Sequence, residues 1–283
     1  MKLKRIILGM LMLCAAAAFS SCDDWTEPES VDIDASRPDA KDPAAWAAYT
    51  ATVRAYKSTD HTLVYACLVN ASAVSTSERD FLRSLPDSVD IVSLQNTPSE
   101  ADLADLPLMH ELGTRVLYPL RPGDDASLAA SAVSRYGFDG IVLLAEQPFD
   151  NLSATLQTLG KPGLLVYEGD PSRLAAADLA AFDRVVLPTA QLVYQSDMDL
   201  LLDNAALAGL APGKLIFAVT PGAVLRDYRN RKQDAIILGT QITTSNGLGG
   251  IALYDIGRDY YHVGLNYLRT RELIARLNLT PKN

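Results

Sequence analysis

The chain of 283 residues has 34 acidic and 25 basic residues and a formal net charge of −9 at pH 7. A basic patch is the usual footprint of phosphate binding, so this acidic balance argues against a nucleic-acid partner. It favours instead a soluble surface and neutral ligands.

The N-terminus has the pattern of a secretory signal. Lys2, Lys4 and Arg5 precede an apolar stretch over residues 6–19, which is too short to span a bilayer comfortably. Small residues follow it, as expected before a cleavage site. We therefore predict that residues 1–21 are a signal peptide.

The end of this stretch, FSSC at residues 19–22, resembles the lipobox at which bacterial lipoproteins are cut and lipidated on cysteine. Cys22 would then be the first mature residue. The acidic pair Asp23 and Asp24 resembles the surface-export signal in lipoproteins of Gram-negative glycan-harvesting bacteria. These resemblances imply an outer-membrane lipoprotein that faces outward; the alternative is an ordinary secreted protein with an incidental cysteine.

The cysteines and histidines do not suggest a metal site. Cys14 leaves with the signal peptide and Cys22 is lipidated, so Cys67 is left inside an apolar run without a cysteine to pair with. The histidines are too scattered for a metal cluster and fit ordinary surface or interface positions: His61, His110 and His262. We expect no cofactor.

The remaining chain divides into a tether and one domain. Residues 22–42 are rich in Asp, Glu, Pro and Ser, which favours a flexible tether, and residues 43–283 have the size of one domain. Eight short apolar runs within the domain have the composition of strands buried on both faces: residues 62–69, 89–95, 114–120, 140–146, 163–169, 184–191, 214–221 and 249–256.

Helical segments separate these runs. The TPSE segment at residues 97–100 predicts a threonine cap, a first-turn proline and a capping-box glutamate, and Ser196 with Asp199 predicts a second helix start. Gly137 stands where a helix would end in a left-handed residue. This α/β alternation predicts a (β/α)8 TIM barrel in a single domain. A doubly wound sheet is the alternative, but the chain has no glycine-rich phosphate loop.

A barrel of this kind places its ligand site at the carboxyl ends of the strands. Amide and aromatic side chains dominate those ends, and they suit a sugar, because amides bind hydroxyls and aromatic rings stack on sugar faces. The alternative is that some of them only satisfy loop backbone. The residues at these ends are Asn70, Gln95, Asn96, Tyr118, Glu146, Glu168, Gln191, Tyr194, Tyr254 and Asp255.

One segment, GFDGIVLLAEQ at residues 137–147, resembles the fourth-strand signature DGxDxDxE of glycoside hydrolase family 18. Asp139 and Gly140 match its start and Glu146 matches its end. The two intermediate aspartates are replaced by Val142 and Leu144.

Other segments share the resemblance, which covers roughly residues 60–275. The chain is most similar to the endo-β-N-acetylglucosaminidase-like lipoproteins of glycan-utilisation systems. The matching segments are SLPDSVDIVSLQN for the second strand, GTRVLYPL for the third, and LGGIALYDIGRDYYHVGLNYLRTRELI for the eighth strand and terminal helix.

The resemblance implies substrate-assisted chemistry, in which the N-acetyl oxygen of the substrate attacks the anomeric carbon while a glutamic acid protonates the leaving oxygen. The aspartate two residues before that glutamate orients the acetamido group. Residues 142, 144 and 146 share the inward face of a strand, so Leu144 stands where that aspartate would be and cannot do its work. Apolar neighbours would raise the pKa of Glu146 by desolvation, which would leave a vestigial acid or a glycan-binding group. An alternative is that Glu146 only pairs with a loop arginine.

Three hypotheses follow. The first is a non-catalytic lipoprotein that binds N-acetylglucosamine-containing glycans, such as N-glycans, for a transporter, with Gln95, Asn96, Glu168, Gln191, Tyr194 and Tyr254 as ligand-binding residues. The second is a weak or altered hydrolase that uses Glu146 with Glu168 or Gln191 as a substitute. The third is an interaction protein of an outer-membrane transporter complex.

One further segment, LRDYRNRKQDAIILG at residues 225–239, is predicted to be a helix with a solvated basic face: Arg226, Arg229, Arg231 and Lys232.

Overall fold

A computed structural model of the chain describes residues 38–71, 75 and 77–278. The predicted signal peptide, Cys22 and most of the predicted tether lie outside these residues. Within the described residues the strands are β1 Leu63–Leu68, β2 Ile91–Leu94, β3 Arg115–Leu120, β4 Gly140–Leu144, β5 Leu164–Glu168, β6 Arg184–Leu187, β7 Leu215–Val219, β8 Val224–Arg226, β9 Lys232–Asp234 and β10 Gly250–Tyr254.

Eight of these strands form one closed parallel barrel in the order β1-β10-β7-β6-β5-β4-β3-β2, and β1 pairs with both β10 and β2 to close it. The (β/α)8 TIM barrel predicted from the apolar runs is therefore confirmed. The strands are shorter than the runs, and the difference bears on the site because β4 ends at Leu144, two residues before Glu146.

Helices separate the barrel strands from β2 onward. They are α1 Pro38–Lys41, α2 Pro43–Lys57, α3 Glu100–Glu111, α4 Ala126–Tyr136, α5 Leu152–Leu159, α6 Ala176–Ala181, α7 Gln195–Leu207, α8 Ala235–Ser245 and α9 Leu268–Leu277. Short 3-10 helices cover Glu78–Asp80, Leu82–Ser84, Pro171–Arg173, Pro212–Lys214 and Ile256–Asp259. None of the helices in the described ranges is both long and apolar enough to cross a membrane.

The barrel interior is filled by apolar side chains from alternate strand positions. Val142 and Leu144 of β4 belong to it, packed with Tyr65, Cys67, Ile91, Leu117, Val166, Val186, Ile216, Ala218 and Ala252. The sequence prediction that residues 142 and 144 face inward is confirmed, since side chains alternate along a strand. An aspartate at either position would therefore lie inside the barrel.

Two helix starts differ from the sequence prediction. Helix α3 is capped by Ser99 of the TPSE segment rather than by its threonine, and Asp102 rather than Glu100 completes the reciprocal capping box. Asp102 also accepts a hydrogen bond from Asn70 Nδ2 at 2.8 Å, so a tertiary contact fixes the carboxylate that caps the helix. The predicted C-cap at Gly137 is confirmed, with φ of 83°.

Helix α7 begins at Gln195, and the Asp197 carboxylate accepts from the backbone N–H of Tyr194 at 3.0 Å. The predicted start at Ser196 with Asp199 is therefore wrong. The carboxylate of Asp199 is engaged instead by the hydroxyl of Tyr228, which lies in the connection between β8 and β9.

The segment at residues 225–239 is not one helix, so that prediction is wrong. Strands β8 and β9 form an antiparallel hairpin, and α8 begins only at Ala235. Asp227 holds the turn, because its Oδ1 accepts from the backbone N–H groups of Arg229 and Arg231, each at 2.9 Å. Asn230 takes a left-handed conformation (φ 61°), which asparagine tolerates better than most residues.

Candidate functional site

A cavity of about 620 Å³ opens at the carboxyl ends of the barrel strands. Strands β2, β4, β5, β6 and β10 or the loops after them contribute its walls. Leu144 and Leu201 supply apolar surface, and the polar lining comprises Gln95, Glu146, Glu168, Asp170, Gln191 and Tyr254. This is the end at which (β/α)8 barrels hold their ligands. The cavity has the size of a small-molecule site.

A buried carboxyl group lies at the bottom of this cavity. Glu168, the last residue of β5, is 4% exposed. Its Oε1 accepts hydrogen bonds from the hydroxyls of Tyr65 at 2.7 Å and Ser93 at 2.5 Å, and its Oε2 accepts from Gln95 Nε2 at 3.3 Å. Side chains from β1, β2 and β5 therefore converge on one carboxyl group, and the Cys67 thiol adds weak contacts at 3.9 Å.

The ionisation of this cluster is shifted by its burial. Burial raises the pKa of Glu168 above its ordinary value, while the hydrogen bonds from Ser93, Tyr65 and Gln95 oppose that rise. Burial also raises the pKa of the Tyr65 hydroxyl well above its usual range, and the charge of Glu168 adds to that shift. Tyr65 therefore remains a hydrogen-bond donor.

Glu168 and Leu144 are direct neighbours across two strands. Their Cα positions are register partners in the parallel pair of β4 and β5. The inward position that carries the aspartate in the family signature thus carries leucine, while the adjacent strand carries a carboxyl group at the same level. Leu144 is 2% exposed, so the two side chains meet in a nearly dry environment.

Glu146 has a different environment from the one expected. It follows the end of β4 by two residues and its side chain is exposed. The burial among apolar neighbours that the sequence predicted is therefore not there, because the strand ends at Leu144. Among the described side chains, no ion pair joins Glu146 to an arginine. Glu146 is nevertheless one of the residues that line the cavity.

The other predicted ligand-binding residues divide into two groups. Gln95, Gln191 and Tyr254 line the cavity together with Glu168. Burial raises the pKa of Tyr254 far above its usual range, with the Glu168 charge contributing, so this hydroxyl also remains protonated.

Asn96 and Tyr194 are not lining residues. The side chain of Asn96 donates to the backbone carbonyl of Asn70 at 2.5 Å, and its backbone N–H donates to Asn70 Oδ1 at 2.9 Å. These two hydrogen bonds join the loops after β1 and β2. Asn96 therefore satisfies loop backbone, which is the alternative role considered for the residues at the strand ends. Tyr194 is 47% exposed just before α7 and makes a backbone bridge with Arg226.

Tyr118 and Asp255 have structural roles next to the cavity. Tyr118 packs edge-on against Phe138 with ring centroids 5.4 Å apart. Asp255 takes a left-handed conformation (φ 49°) at the turn that follows β10. Neither residue lines the cavity.

Sequence reasoning missed three members of the Glu168 cluster: Tyr65, Cys67 and Ser93. A signal for Ser93 was present, because it is a lone polar residue within the apolar run VDIVSLQ. Alternation places Tyr65 and Cys67 on one face of β1, but the sequence alone does not say which carboxyl group that face meets.

Metal binding has no support in the described part of the chain, where no group of three or more His, Cys, Asp and Glu side chains is placed to hold an ion. His61 Nε2 lies 2.9 Å from a carboxylate oxygen of Asp90, and His262 Nε2 lies 2.6 Å from one of Asp259. His110 lies 3.2 Å from Asp139. The three histidines thus serve separate pairs.

The fold and the cavity define a (β/α)8 barrel with a polar ligand site at the strand ends, and comparisons with known proteins agree with that class. The sequence model of glycoside hydrolase family 18, BT1044-like, matches residues 26–121, a segment that ends before the degraded signature at residues 139–146. A search of curated protein sequences found no match.

Solved structures share the whole barrel. A selenomethionine form of BT1044 with a glutamate-to-glutamine substitution has a TM-score of 0.68 at 19% identity over 86% of this chain and 96% of its own. The endo-β-N-acetylglucosaminidase of Cordyceps militaris in its apo form has a TM-score of 0.61 at 15% identity, over 82% and 96%. A chitinase from Bacteroides thetaiotaomicron has a TM-score of 0.58 at 10% identity, over 77% and 97%. The family model supports the resemblance seen in the sequence over residues 26–121, and the solved structures show that the chain shares their barrel fold.

Proposed function

We propose that this protein binds N-acetylglucosamine-containing glycans in the barrel cavity and is inactive or impaired as a hydrolase. The observation that carries the proposal is the contrast within one site. The cavity has a polar lining, whereas the inward positions of β4 that would carry the family aspartates are the buried apolar residues Val142 and Leu144.

The loss of catalysis follows from what Leu144 cannot do. In the substrate-assisted reaction, the acetamido oxygen becomes a nucleophile only when it is held against the anomeric carbon and its developing positive charge is stabilised. A leucine side chain offers neither a hydrogen bond nor a charge. The loss of one preorganised electrostatic group typically costs about 10²- to 10³-fold in rate.

The cavity retains the groups needed for binding. The amides of Gln95 and Gln191 can donate to and accept from sugar hydroxyls, and the ring of Tyr254 offers apolar surface with a hydroxyl at its edge. The exposed carboxylate of Glu146 can accept a hydroxyl or amide hydrogen bond without transferring a proton. A filled, narrow barrel top would have favoured the interaction-protein hypothesis, and the open cavity supports glycan binding instead.

The test is calorimetric titration of the mature chain, from residue 22 with Cys22→Ser, against a chitobiose-core N-glycan. We expect one saturating heat and an unchanged glycan on mass spectrometry. Gln191→Ala should weaken binding, because Gln191 lines the cavity. The absence of heat with this glycan and with a panel of related glycans would refute the proposal.

The second candidate, a weak or altered hydrolase, is favoured by one observation. Glu168 is the register partner of Leu144, so a carboxyl group remains beside the position of the missing aspartate. Prolonged incubation with the same glycan distinguishes the two candidates. A truncated product that disappears in Glu146→Gln would establish turnover and assign the proton donor.

We also propose that the protein is held at the outer membrane by lipid on Cys22 and faces outward, where it would hand glycan to a transporter complex. The support is the FSSC segment at residues 19–22 and the acidic pair after it. Incorporation of an alkynyl palmitate that is lost in Cys22→Ser tests the anchor. Digestion by protease added to intact cells tests the orientation, and co-purification tests the transporter partner.

A further inference from the structure

Another cavity, of about 390 Å³, lies at the amino-terminal ends of the barrel strands, opposite the cavity described above. Its walls come from the end of α2 and from residues that begin or precede β1, β6, β7 and β10. This amino-terminal cavity shares no lining residue with the cavity at the carboxyl ends. Two basic side chains line it, Lys57 and Arg184, in a chain whose net charge is −9. A ligand bound here would therefore be separate from the glycan proposed above.

Two arginines point into the barrel at this end. Arg115 begins β3 two residues before Leu117, and Arg184 begins β6 two residues before Val186. Leu117 and Val186 belong to the barrel interior, so the alternation of side chains along each strand turns both arginines inward. Burial lowers the pKa of Arg184, and the positive charge of Arg115 lowers it further, while Asp183 opposes the shift. Two like charges therefore act on each other at the amino-terminal end of the barrel.

The guanidinium of Arg184 lacks a full set of acceptors. Its Nη1 donates to the backbone carbonyl of Asp183 at 2.8 Å, but its Nε is buried and has no hydrogen-bond partner among the described residues. The Asp183 carboxylate is engaged elsewhere, because its Oδ2 accepts from the backbone N–H of Leu165 at 2.9 Å. A buried donor without an acceptor is costly, and native structures rarely contain one. An acceptor held in the amino-terminal cavity, which Arg184 lines, would complete the set.

Lys57 adds a second cation to the wall. Its Nζ donates to the backbone carbonyl of Val89 at 2.7 Å and to the hydroxyl of Thr114 at 2.5 Å, so one of the three ammonium donors is left. Burial lowers the pKa of Lys57 to about 8, although the carboxylates of Asp90 and Asp87 oppose that shift. A bound anion would favour the charged form of this amine and offset part of the cost of its burial.

One carboxylate on the wall works against an anion. Asp60 is exposed, and it forms no ion pair or hydrogen bond with the described residues. Asp90 is engaged, because it accepts from the backbone N–H of Val64 at 2.8 Å and lies 2.9 Å from His61 Nε2. Solvent and salt screen an exposed charge, so Asp60 should weaken the binding of an anion only modestly.

We propose that the amino-terminal cavity binds a phosphate group, with the guanidinium of Arg184 as its principal donor and the ammonium of Lys57 as its second. A guanidinium presents its donors in a planar fork that matches phosphate oxygens, and a lysine adds a point charge. A phosphate monoester carries about two negative charges at pH 7, which suits two cations better than a carboxylate does.

The volume of the cavity lies in the usual range of small-molecule sites, so the phosphate can belong to a larger ligand. Free phosphate and the phosphorylated head group of a lipid share this chemistry. The inference does not depend on glycan binding, since the two cavities have no residue in common.

The test uses two probes on the mature Cys22→Ser chain: calorimetric titration with inorganic phosphate, and co-sedimentation with phosphatidylcholine vesicles that contain phosphatidic acid. We expect saturable binding of at least one probe and no binding to vesicles of phosphatidylcholine alone. Binding to the vesicles with weak binding of inorganic phosphate would identify a lipid head group, and the reverse would identify a free anion. A parent chain that binds neither probe would overturn the proposal.

Arg184→Gln should weaken binding by about tenfold or more, the usual scale for hydrogen bonds to a charged group. Arg184→Lys keeps the charge without the fork and should have an intermediate affinity. Arg135→Gln is the matched control, because Arg135 is exposed on α4 and lines neither cavity; it should change the affinity by less than about twofold. Equal losses in Arg184→Gln and Arg135→Gln would show a general attraction between charges and would overturn the site.

Asp60→Asn tests the same site with the opposite sign. It removes the opposing carboxylate and leaves the donors in place, so the affinity for phosphate should rise about two- to fivefold at an unchanged urea midpoint. This variant decides the question if Arg184→Gln fails to fold, since Asp60 is exposed. An unchanged affinity in Asp60→Asn would then mean that the phosphate binds elsewhere.

Discussion

The ends of β4 and β5 are neighbours in the barrel and differ in chemistry. At the end of β4, Val142 and Leu144 are buried and apolar, and the carboxylate of Glu146 lies beyond the strand in solvent. At the end of β5, Glu168 is buried and accepts hydrogen bonds from side chains of two other strands. The polar centre of the barrel thus belongs to β5 rather than to the strand that carries the family signature.

A glutamate near the end of a barrel strand therefore has no fixed role. Glu168 is the last residue of its strand and Glu146 lies two residues beyond the end of its strand, and the two carboxyl groups differ in solvation although both residues line the same cavity. The carboxyl group of Glu168 is held in place by hydrogen-bond donors, so it is suited to a structural role in the cavity. The exposed carboxylate of Glu146 makes no hydrogen bond to the described residues, so it is available to a ligand. Substitutions that change the charge or the polarity at these positions are the most direct tests of this difference.

The largest effect is expected from Leu144→Asp. The new carboxylate would be buried in register with Glu168 among the apolar side chains of the barrel interior, and an unpaired buried charge is among the most destabilising changes. We expect the free energy of unfolding, measured by urea denaturation, to fall by more than about 4 kcal/mol. Leu144→Asn is the control, since it has the same shape without the charge and should cost less. Equal costs would mean that lost packing dominates and that the carboxyl groups do not repel.

The next effect is expected from Glu168→Leu, which removes the acceptor for two buried hydroxyls. Tyr65 and Ser93 would be left as unsatisfied donors at about 1–3 kcal/mol each. The hydrogen bond that Ser93 accepts from Gln95 Nε2 at 2.8 Å does not satisfy the hydroxyl hydrogen of Ser93. We expect a loss of about 2–4 kcal/mol in the free energy of unfolding, and a smaller loss in Glu168→Gln, which keeps an acceptor. A Glu168→Leu protein as stable as the parent would show that the cluster contributes no net stability.

A smaller effect concerns pH. Burial raises the pKa of Glu168 in the folded state above the ordinary glutamate value of about 4.3, so between these two values the folded protein binds more protons than the unfolded chain. The stability that Glu168 contributes is therefore complete below that ordinary value and declines as the pH rises through the folded-state pKa. The difference in unfolding free energy between the parent and Glu168→Gln, measured from pH 4 to pH 8, should fall with increasing pH. A difference that rises with pH would reverse the sign of the pKa shift.

The sequence predicted the barrel well because its signals are local. The apolar runs that form the strands, and the glycine that ends α4, can be recognised from adjacent residues. The inward-facing positions of β4 follow from the alternation of side chains along a strand. The starts of α3 and α7 were misplaced because distant groups, Asn70 and Tyr228, decide which carboxylate is available. The Glu168 cluster needs the closure of the barrel, which brings β1 and β2 to face β5, and no spacing in the chain encodes that distance.

The smallest effect on stability is expected from Glu146→Gln. The side chain is exposed and no hydrogen bond to the described residues holds it, so the free energy of unfolding should change by less than about 0.5 kcal/mol. Its effect should appear in binding instead, because Glu146 lines the cavity at the strand ends. Calorimetry with the chitobiose-core N-glycan should give a several-fold weaker affinity at unchanged urea midpoint. If Glu146→Gln instead destabilises the fold as much as Glu168→Gln does, the division between a structural carboxyl group on β5 and a ligand-facing one after β4 is wrong.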